Sequence, residues 1–125
     1  MSEGDGKFAF EELDIWHEAV EFADQCLSIA ENMETDRKHY RLIEQMESAA
    51  TSPALNIAEG KGRFSRKEFI QFLYIARGSL FETVTLLEVF RRRNWISLEK
   101  FSNVKGHALK LGKRISALIN SIKPD

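Results

Sequence analysis

The chain has 125 residues, of which 43% are hydrophobic and 30% are charged. This balance excludes disorder and collagen-like repetition, and the length excludes an enzyme with separate cofactor and substrate domains. The formal net charge of −1 sums two opposite halves. Residues 1–34 hold 10 acidic residues and one basic residue, whereas residues 35–125 hold 9 acidic and 17 basic residues. Any binding of nucleic acid must therefore be confined to one face.

We expect a flexible tail over residues 1–9 and a single domain over residues 10–125. Four segments with helical periodicity make up this domain, and they span residues 11–33, 36–59, 65–94 and 97–122. Gly60 and Gly62 end the second segment. Ser65 and Glu68 form a capping box at the start of the third, and Ser97 is a cap for the fourth. Breaks this short place consecutive helices side by side, which predicts an all-α fold, an up-and-down antiparallel four-helix bundle.

The first segment carries more apolar surface than one bundle core can cover. One stripe at helical spacing, which we assign to the core, contains Leu13, Trp16, Val20, Ala23, Leu27 and Ala30. A second stripe beside it contains Ile15, Ala19, Phe22, Cys26, Ile29 and Met33. Because monomers seldom expose large apolar patches, this surplus predicts an obligate homo-oligomer. With the surplus of the third segment, the predicted subunit interface comprises Ile15, Phe22, Cys26, Ile29, Ile70, Tyr74 and Phe81.

The second segment contains Pro53 well inside its helical pattern. A proline there removes one backbone hydrogen bond and clashes with the preceding turn, which predicts a kink or local break over residues 51–54. Small residues surround Pro53, and Gly78 with Ser79 is the predicted close-contact point on the third segment.

Asn56 and Glu59 lie three residues apart on one face beside this proline. They are a candidate polar site with Arg77 as the counter-charge. We favour a structural interpretation, in which Asn56 bonds backbone groups freed by Pro53 and Glu59 pairs with Arg77 or caps the next helix.

The basic residues are the main candidates for function, because Lys and Arg neutralise phosphates and release counterions. They crowd the break between the second and third segments, the end of the third segment and one row of the fourth. The candidate nucleic-acid-binding residues are Lys61, Arg63, Arg66, Lys67, Arg91, Arg92, Arg93, Lys105, Lys110, Lys113 and Arg114. The alternative is a solvated surface, in which the arginine run favours the negative end of a helix dipole.

A longer pattern runs through the middle of the chain. Residues 52–60 read SPALNIAEG, followed by Gly62, Arg63 and the run SRKEF at 65–69, then FLYIARGSL at 72–80 with Glu82. With Phe10 and apolar residues of the first segment, this pattern resembles the signature of the four-helix bundle proteins encoded in bacterial 23S rRNA intervening sequences, over residues 10–96. The positions of this signature that we interpret as architectural are Pro53, Asn56, Glu59, Gly60, Arg77 and Gly78.

The resemblance implies an up-and-down bundle that assembles as a ring-like homopentamer without enzymatic activity. It also implies association with ribosomal RNA. A related branch, the accessory proteins of diversity-generating retroelements, presents a basic surface to nucleic acid and to a reverse transcriptase. The resemblance therefore makes RNA or DNA, and a protein such as a reverse transcriptase, candidate partners.

No cofactor or metal is expected. Cys26 is the single cysteine, and no Cys/His cluster has zinc-finger spacing. Asp14 with His17 has helical metal-ligand spacing, but both fall on the polar side of the first segment. Without a signal-like or membrane-spanning apolar run, we expect a cytoplasmic protein.

Two hypotheses about function follow from the sequence. The first is a non-enzymatic oligomeric bundle that binds RNA or another nucleic acid through Arg and Lys patches. The second is an oligomeric protein–protein adaptor that binds no nucleic acid and docks acidic partners on its basic face.

Overall fold

A computed structural model describes residues 6–33, 35 and 39–123 and has four α-helices in this part of the chain. α1 spans Asp14–Glu31, α2 Tyr40–Lys61, α3 Arg66–Arg92 and α4 Leu98–Ile122; a short 3-10 helix, Ala9–Glu12, precedes them. Consecutive helices pack on each other, and α4 also packs on α1, which closes the bundle. The predicted four-helix bundle is confirmed, and no strand occurs among the described residues.

The N-terminal part of the chain differs in detail from the boundaries predicted from the sequence. The predicted start of the second helix at residue 36 lies outside the described residues, and most of the predicted tail does too. Within that tail, however, Ala9 begins the 3-10 helix, and the amide of Phe8, its N-cap residue, donates to Glu11 Oε2 at 2.7 Å. A 3-10 helix with its own N-terminal hydrogen bond therefore leads into α1.

Ser65 and Ser97 both cap their helices, but the capping box predicted for Ser65 and Glu68 forms only in part, because the Glu68 carboxylate accepts from the Ser65 hydroxyl and not from the Ser65 amide. Ser65 Oγ accepts the amide of Glu68 at 3.1 Å, and the Ser65 hydroxyl in turn donates to the Glu68 carboxylate. Ser97 Oγ accepts the amide of Lys100 at 3.1 Å. Each contact satisfies one of the amides that the first turn of a helix leaves without a partner. The starts of α3 and α4 are thereby fixed by side chains that the sequence identified.

The end of α3 is set by Asn94, which has a positive φ of 63°. The amide of Asn94 donates to the carbonyl of Arg91, and the amide of Trp95 donates to that of Phe90, both at 2.9 Å. The Trp95 and Phe90 rings also pack with their centroids 5.3 Å apart. These contacts make a Schellman motif, which ends α3 two residues before the predicted boundary.

The core reverses the predicted roles of the two stripes on α1. Ile15, Phe22, Cys26 and Ile29 are between 0% and 8% exposed, and Ile70 on α3 is 8% exposed. Their assignment to a subunit interface is wrong, because they already pack inside the single chain. The stripe assigned to the core lies beside them and is only partly covered; it includes exposed Val20 and half-buried Leu13, Trp16 and Leu27.

Two residues of the predicted interface do remain at the surface. Tyr74 is 40% exposed and Phe81 is 59% exposed, and both lie on the outer side of α3. They are therefore available to a partner, whereas the other five are not.

α2 continues without a break through Pro53, which is buried. The local break expected over residues 51–54 does not occur, and a bend of the helix axis there stays a prediction. Beside Pro53, Ser52 Oγ shares a hydrogen bond of 2.7 Å with Ser79 Oγ on α3. This polar contact joins the two helices at the position predicted for Ser79.

α2 and α3 approach each other closely at Gly60. A Cβ placed there would stand 2.7 Å from Phe72 Cβ and 2.9 Å from Phe69 Cδ1, closer than real Cβ atoms come. At Gly78 a Cβ would meet nothing within 4 Å, so its prediction as a close-contact point is wrong. Gly60 thus brings the helices together and allows a short connection between them.

None of the described helices is long and apolar enough to cross a membrane.

Candidate nucleic-acid interface

Residues 61–68, here called the α2–α3 loop, comprise the connection between α2 and α3 and the adjoining ends of the two helices. They hold the most open group of candidate cations. Every residue from 61 to 68 is exposed, and Lys61, Arg63, Arg66 and Lys67 lie within this stretch. Among the described residues, Lys61, Arg66 and Lys67 take part in no ion pair, hydrogen bond or ring contact of their side chains. Their charges are therefore not engaged by another side chain and are available to an anionic partner.

Arg63 has a different role in the same loop. Its guanidinium lies 3.6 Å from Glu59 Oε1, one turn earlier, and 4.8 Å from the centre of the Phe72 ring. The side chain therefore turns back onto the bundle and fastens the loop to α2 and α3. Glu59 pairs with Arg63 and not with Arg77, so that part of the structural interpretation is wrong.

Phe64 stands at the centre of this loop, and its side chain is 108% exposed. Phe64 is not among the candidate residues predicted from the sequence. Its position in the sequence could have indicated an exposed ring. An apolar residue in a break between two helical patterns does not belong to the buried face of either helix.

The arginine run at the end of α3 is largely occupied by a neighbouring carboxylate. Arg91 Nε donates to Glu88 Oε2 at 2.6 Å, and Arg92 lies 3.7 Å from the other oxygen of Glu88. The hydrogen bond from Arg91 lowers the pKa of Glu88 and raises the pKa of Arg91 itself. Arg93 is exposed. This group therefore offers less free charge than its sequence suggests.

The cations of α4 divide between two sides of the helix. Lys105 and Lys113 lie on the side facing α3. Lys110 lies on the side facing α1, where Arg114 pairs with Glu18. The predicted row is therefore not one continuous surface.

The structure does not bring all the candidate cations together. The α2–α3 loop and the arginine run lie at opposite ends of α3, which has 27 residues. At 1.5 Å per residue they are about 40 Å apart. The loop group is the compact one.

The polar residues of the signature have architectural contacts. Asn56 Nδ2 donates to the carbonyl oxygen and the hydroxyl of Ser52, both at 2.9 Å. Asn56 therefore binds the backbone one residue before Pro53. The carbonyl that Pro53 leaves without a donor is that of Ala49, four residues earlier, so the expected bond of Asn56 to a group freed by Pro53 is not the one observed. Arg77 Nη1 donates to Ser116 Oγ at 3.1 Å and lies 5.0 Å from the centre of the Tyr74 ring, which ties α3 to α4.

An apolar groove of about 700 Å³ opens between α3 and α4. Its lining includes Leu80, Val84 and Ala108, and Phe81 and Leu109 flank it with 59% and 57% of their surfaces exposed. Lys105 and Lys113 add positive charge along its α4 side. This groove was not predicted, because it depends on the spacing of two helices and not on the pattern of either.

The other candidate groups have ordinary contacts. His17 Nε2 donates to the carbonyl of Glu11 at 2.7 Å, and His107 Nδ1 lies 2.6 Å from Gln25 Oε1. Within the described ranges, no group of three or more His, Cys, Asp or Glu side chains is arranged to hold a metal ion. Burial raises the pKa of Cys26 to about 12, so its thiol is not activated as a nucleophile.

Comparison with known proteins places this bundle in a family. A family model described as "23S rRNA-intervening sequence protein" matches residues 11–117. The chain belongs to this family. The match confirms the resemblance found in the sequence, and it extends through most of α4, where the signature itself gave only an amphipathic pattern.

A solved structure has the same fold as this member of the 23S rRNA-intervening sequence protein family. It is the crystal structure of a protein of unknown function from the S23 ribosomal protein family of Bacteroides thetaiotaomicron VPI-5482. The two chains are 25% identical with a TM-score of 0.78, and the similarity covers 84% of this chain and 97% of the other. No curated protein matched the sequence.

Proposed function

We propose that this protein is a non-enzymatic helical bundle that binds RNA through the α2–α3 loop and acts as a homo-oligomer. The observation that carries the RNA-binding proposal is the loop, where Lys61, Arg66 and Lys67 are exposed and unpaired among the described residues. Cations held in this way contact phosphates without first breaking an internal ion pair. The family name associates its members with 23S rRNA, which favours RNA as the polyanion.

The salt dependence of binding tests this proposal. Three phosphate contacts give a slope of about −2 to −3 in a plot of log affinity against log salt, or a loss of about 20- to 40-fold between 50 and 200 mM salt. Fluorescence polarisation with a labelled rRNA hairpin measures this slope. Replacing Lys61, Arg66 and Lys67 together by Ala removes it.

The matched control removes the same charge at the opposite end of α3, by replacing Arg91, Arg92 and Arg93 together by Ala. We expect a smaller loss of affinity, because Glu88 engages two of these arginines. An absence of binding at 50 mM salt contradicts RNA binding altogether. Equal losses in the two triple variants contradict the assignment to the loop.

The groove between α3 and α4 supports the homo-oligomer. A second subunit that covers the apolar lining of the groove and the exposed rings of Phe81 and Tyr74 removes apolar surface from water, which stabilises the assembly. The groove has Lys105 and Lys113 along one side, whereas α1 has five acidic residues and no Lys or Arg. Copies of this chain are therefore complementary in charge. A ring of five copies is the assembly that the family resemblance implies.

Light scattering tests the assembly, with a mass of five chains of 14.4 kDa each as the expected result. Leu109→Asp places a charge in the groove and is expected to dissociate the ring. Leu98→Asp is the matched control, because Leu98 is an exposed leucine of α4 that does not line this groove. A wild-type mass of one chain overturns the homo-oligomer. An oligomer that binds no RNA at 50 mM salt favours the oligomeric protein–protein adaptor.

A further inference from the structure

The α2–α3 loop holds an aromatic ring that the fold does not use. Phe64 is 108% exposed, and no ring contact of the described residues includes it. Other exposed phenylalanines have neighbours: Phe8 stacks on Phe10 with ring centroids 5.4 Å apart, and Phe81 flanks the groove of α3 and α4. Packing within the single chain therefore gives no reason for a phenylalanine at position 64.

The loop that presents this ring is fixed on both sides. Gly60 allows the close approach of α2 to α3, and the Ser65 hydroxyl caps α3 immediately after the ring. Arg63 is held between Glu59 and the face of Phe72. The backbone on either side of Phe64 is thereby positioned before any partner arrives, which reduces the entropy lost on binding.

The surroundings of the ring select the partner. Lys61, Arg66 and Lys67 lie within three residues of Phe64 in the chain and carry unpaired positive charge, so the partner is anionic. Phe64 is also the one apolar residue among positions 61–68. A membrane-binding segment needs a larger apolar face. A single flat ring among cations suits a polymer that alternates flat bases with phosphates.

We propose that Phe64 is a stacking platform for an unpaired base of a single-stranded nucleic acid, with Lys61, Arg66 and Lys67 contacting the neighbouring phosphates. The proposal rests on the proposed RNA binding and adds a preference for single strands. A base within a duplex already stacks on its neighbours and does not offer its face to the ring.

The test compares a labelled twelve-nucleotide single-stranded RNA with a blunt-ended duplex of the same sequence, which has no unpaired base, by fluorescence polarisation at fixed salt. Phe64→Ala is expected to weaken single-strand binding about 5- to 150-fold, the range for loss of one stacked base. Phe64→Trp retains the affinity, because it keeps an aromatic face. Phe64→Leu behaves like Phe64→Ala, because it is apolar without such a face.

Leu55→Ala is the matched control, because Leu55 is an apolar residue of α2 that is 66% exposed and lies outside the loop. It is expected to leave both affinities unchanged. Phe64 touches nothing in the bundle, so circular dichroism of its variants is expected to match the wild type.

The outcomes separate this proposal from the proposed function. If the wild type binds neither RNA, both fail. If RNA binding is present, only the stacking platform fails when Phe64→Ala is neutral or weakens duplex binding equally. It also fails when Phe64→Leu binds the single strand as tightly as the wild type. Phe64-dependent binding to phosphatidylserine vesicles with unchanged single-strand affinity also overturns it, in favour of a membrane surface.

Discussion

Replacing Gly60 by Ala tests the close approach of α2 and α3 directly. The new Cβ would lie 2.7 Å from Phe72 Cβ, an atom fixed to the backbone of α3, so the contact cannot be relieved by rotating a side chain. The helices must separate, and overpacking of this kind costs about 1–3 kcal/mol. Alanine recovers less than about 1 kcal/mol in helix propensity at the last turn of α2. The expected net loss of stability is about 1–2 kcal/mol.

Two other glycines make matched controls within helices of the same chain. At Gly78 in α3 a Cβ meets nothing within 4 Å, so Gly78→Ala is expected to stabilise the protein by about 0.5–1 kcal/mol. At Gly112 in α4 the nearest atom is Leu80 Cδ2 at 3.4 Å, the end of a flexible side chain. Gly112→Ala is therefore expected to fall between the other two.

Urea denaturation followed by far-ultraviolet circular dichroism measures all three variants. The comparison is made at one protein concentration, because the stability of an oligomer depends on concentration. A Gly60→Ala variant as stable as the wild type refutes the close approach as the reason for glycine at this position. A destabilised Gly78→Ala variant instead indicates that a neighbouring subunit covers the outer side of α3.

Three further predictions concern single contacts. Ser65→Ala is expected to lower stability by about 1 kcal/mol in a urea titration, because the Glu68 amide loses its acceptor, and an unchanged midpoint contradicts this. A double-mutant cycle of Ser52→Ala and Ser79→Ala is expected to give a coupling of about 0.5–1.5 kcal/mol, and additive effects refute a stabilising hydrogen bond. For Cys26, the folded pKa of about 12 exceeds the ordinary value of 9.0, so the unfolded chain loses its proton first. Stability is then expected to fall from pH 9 toward pH 12 by up to about 1.4 kcal/mol per pH unit, and a Cys26→Ala variant with the same pH dependence contradicts this.

The helices and the starts of α3 and α4 were predictable because they depend on local pattern. Ser65 and Ser97 act within their own first turns, so their positions in the sequence are sufficient. The end of α3 was not predictable in this way. Asn94 adopts a left-handed conformation there, and in a sequence such a conformation is usually marked by a glycine. Local rules therefore fixed helix starts better than helix ends.

The inward face of α1 could not be predicted in the same way. Its two apolar stripes are neighbours with the same period, and only the placement of the other helices decides which of them is buried. The structure buries the stripe of Phe22 and Cys26 and leaves Val20 exposed. A helical wheel contains no information on that choice.

The sequence predicts which residues of the candidate site are cations, but not which of these cations are free of internal ion pairs. Arg114 pairs with Glu18, which is 96 residues away in the chain, and no sequence pattern announces such a pair. Glu88 was present beside the arginine run, yet its pairing with Arg91 depends on side-chain geometry. The distinction between free and occupied cations therefore required the structure.

The α2–α3 hairpin also bears on how the chain folds. It is the most extensively packed pair of helices, and only residues 62–65 connect its two members. Closing so short a loop costs little entropy, so we expect this hairpin to form before α1 and α4 dock. Truncation of Ile57 or Leu73 should then slow folding, whereas truncation of Ile15 or Ile119 should mainly speed unfolding. The segment that carries the family signature would thus be the nucleus around which the rest of the chain assembles.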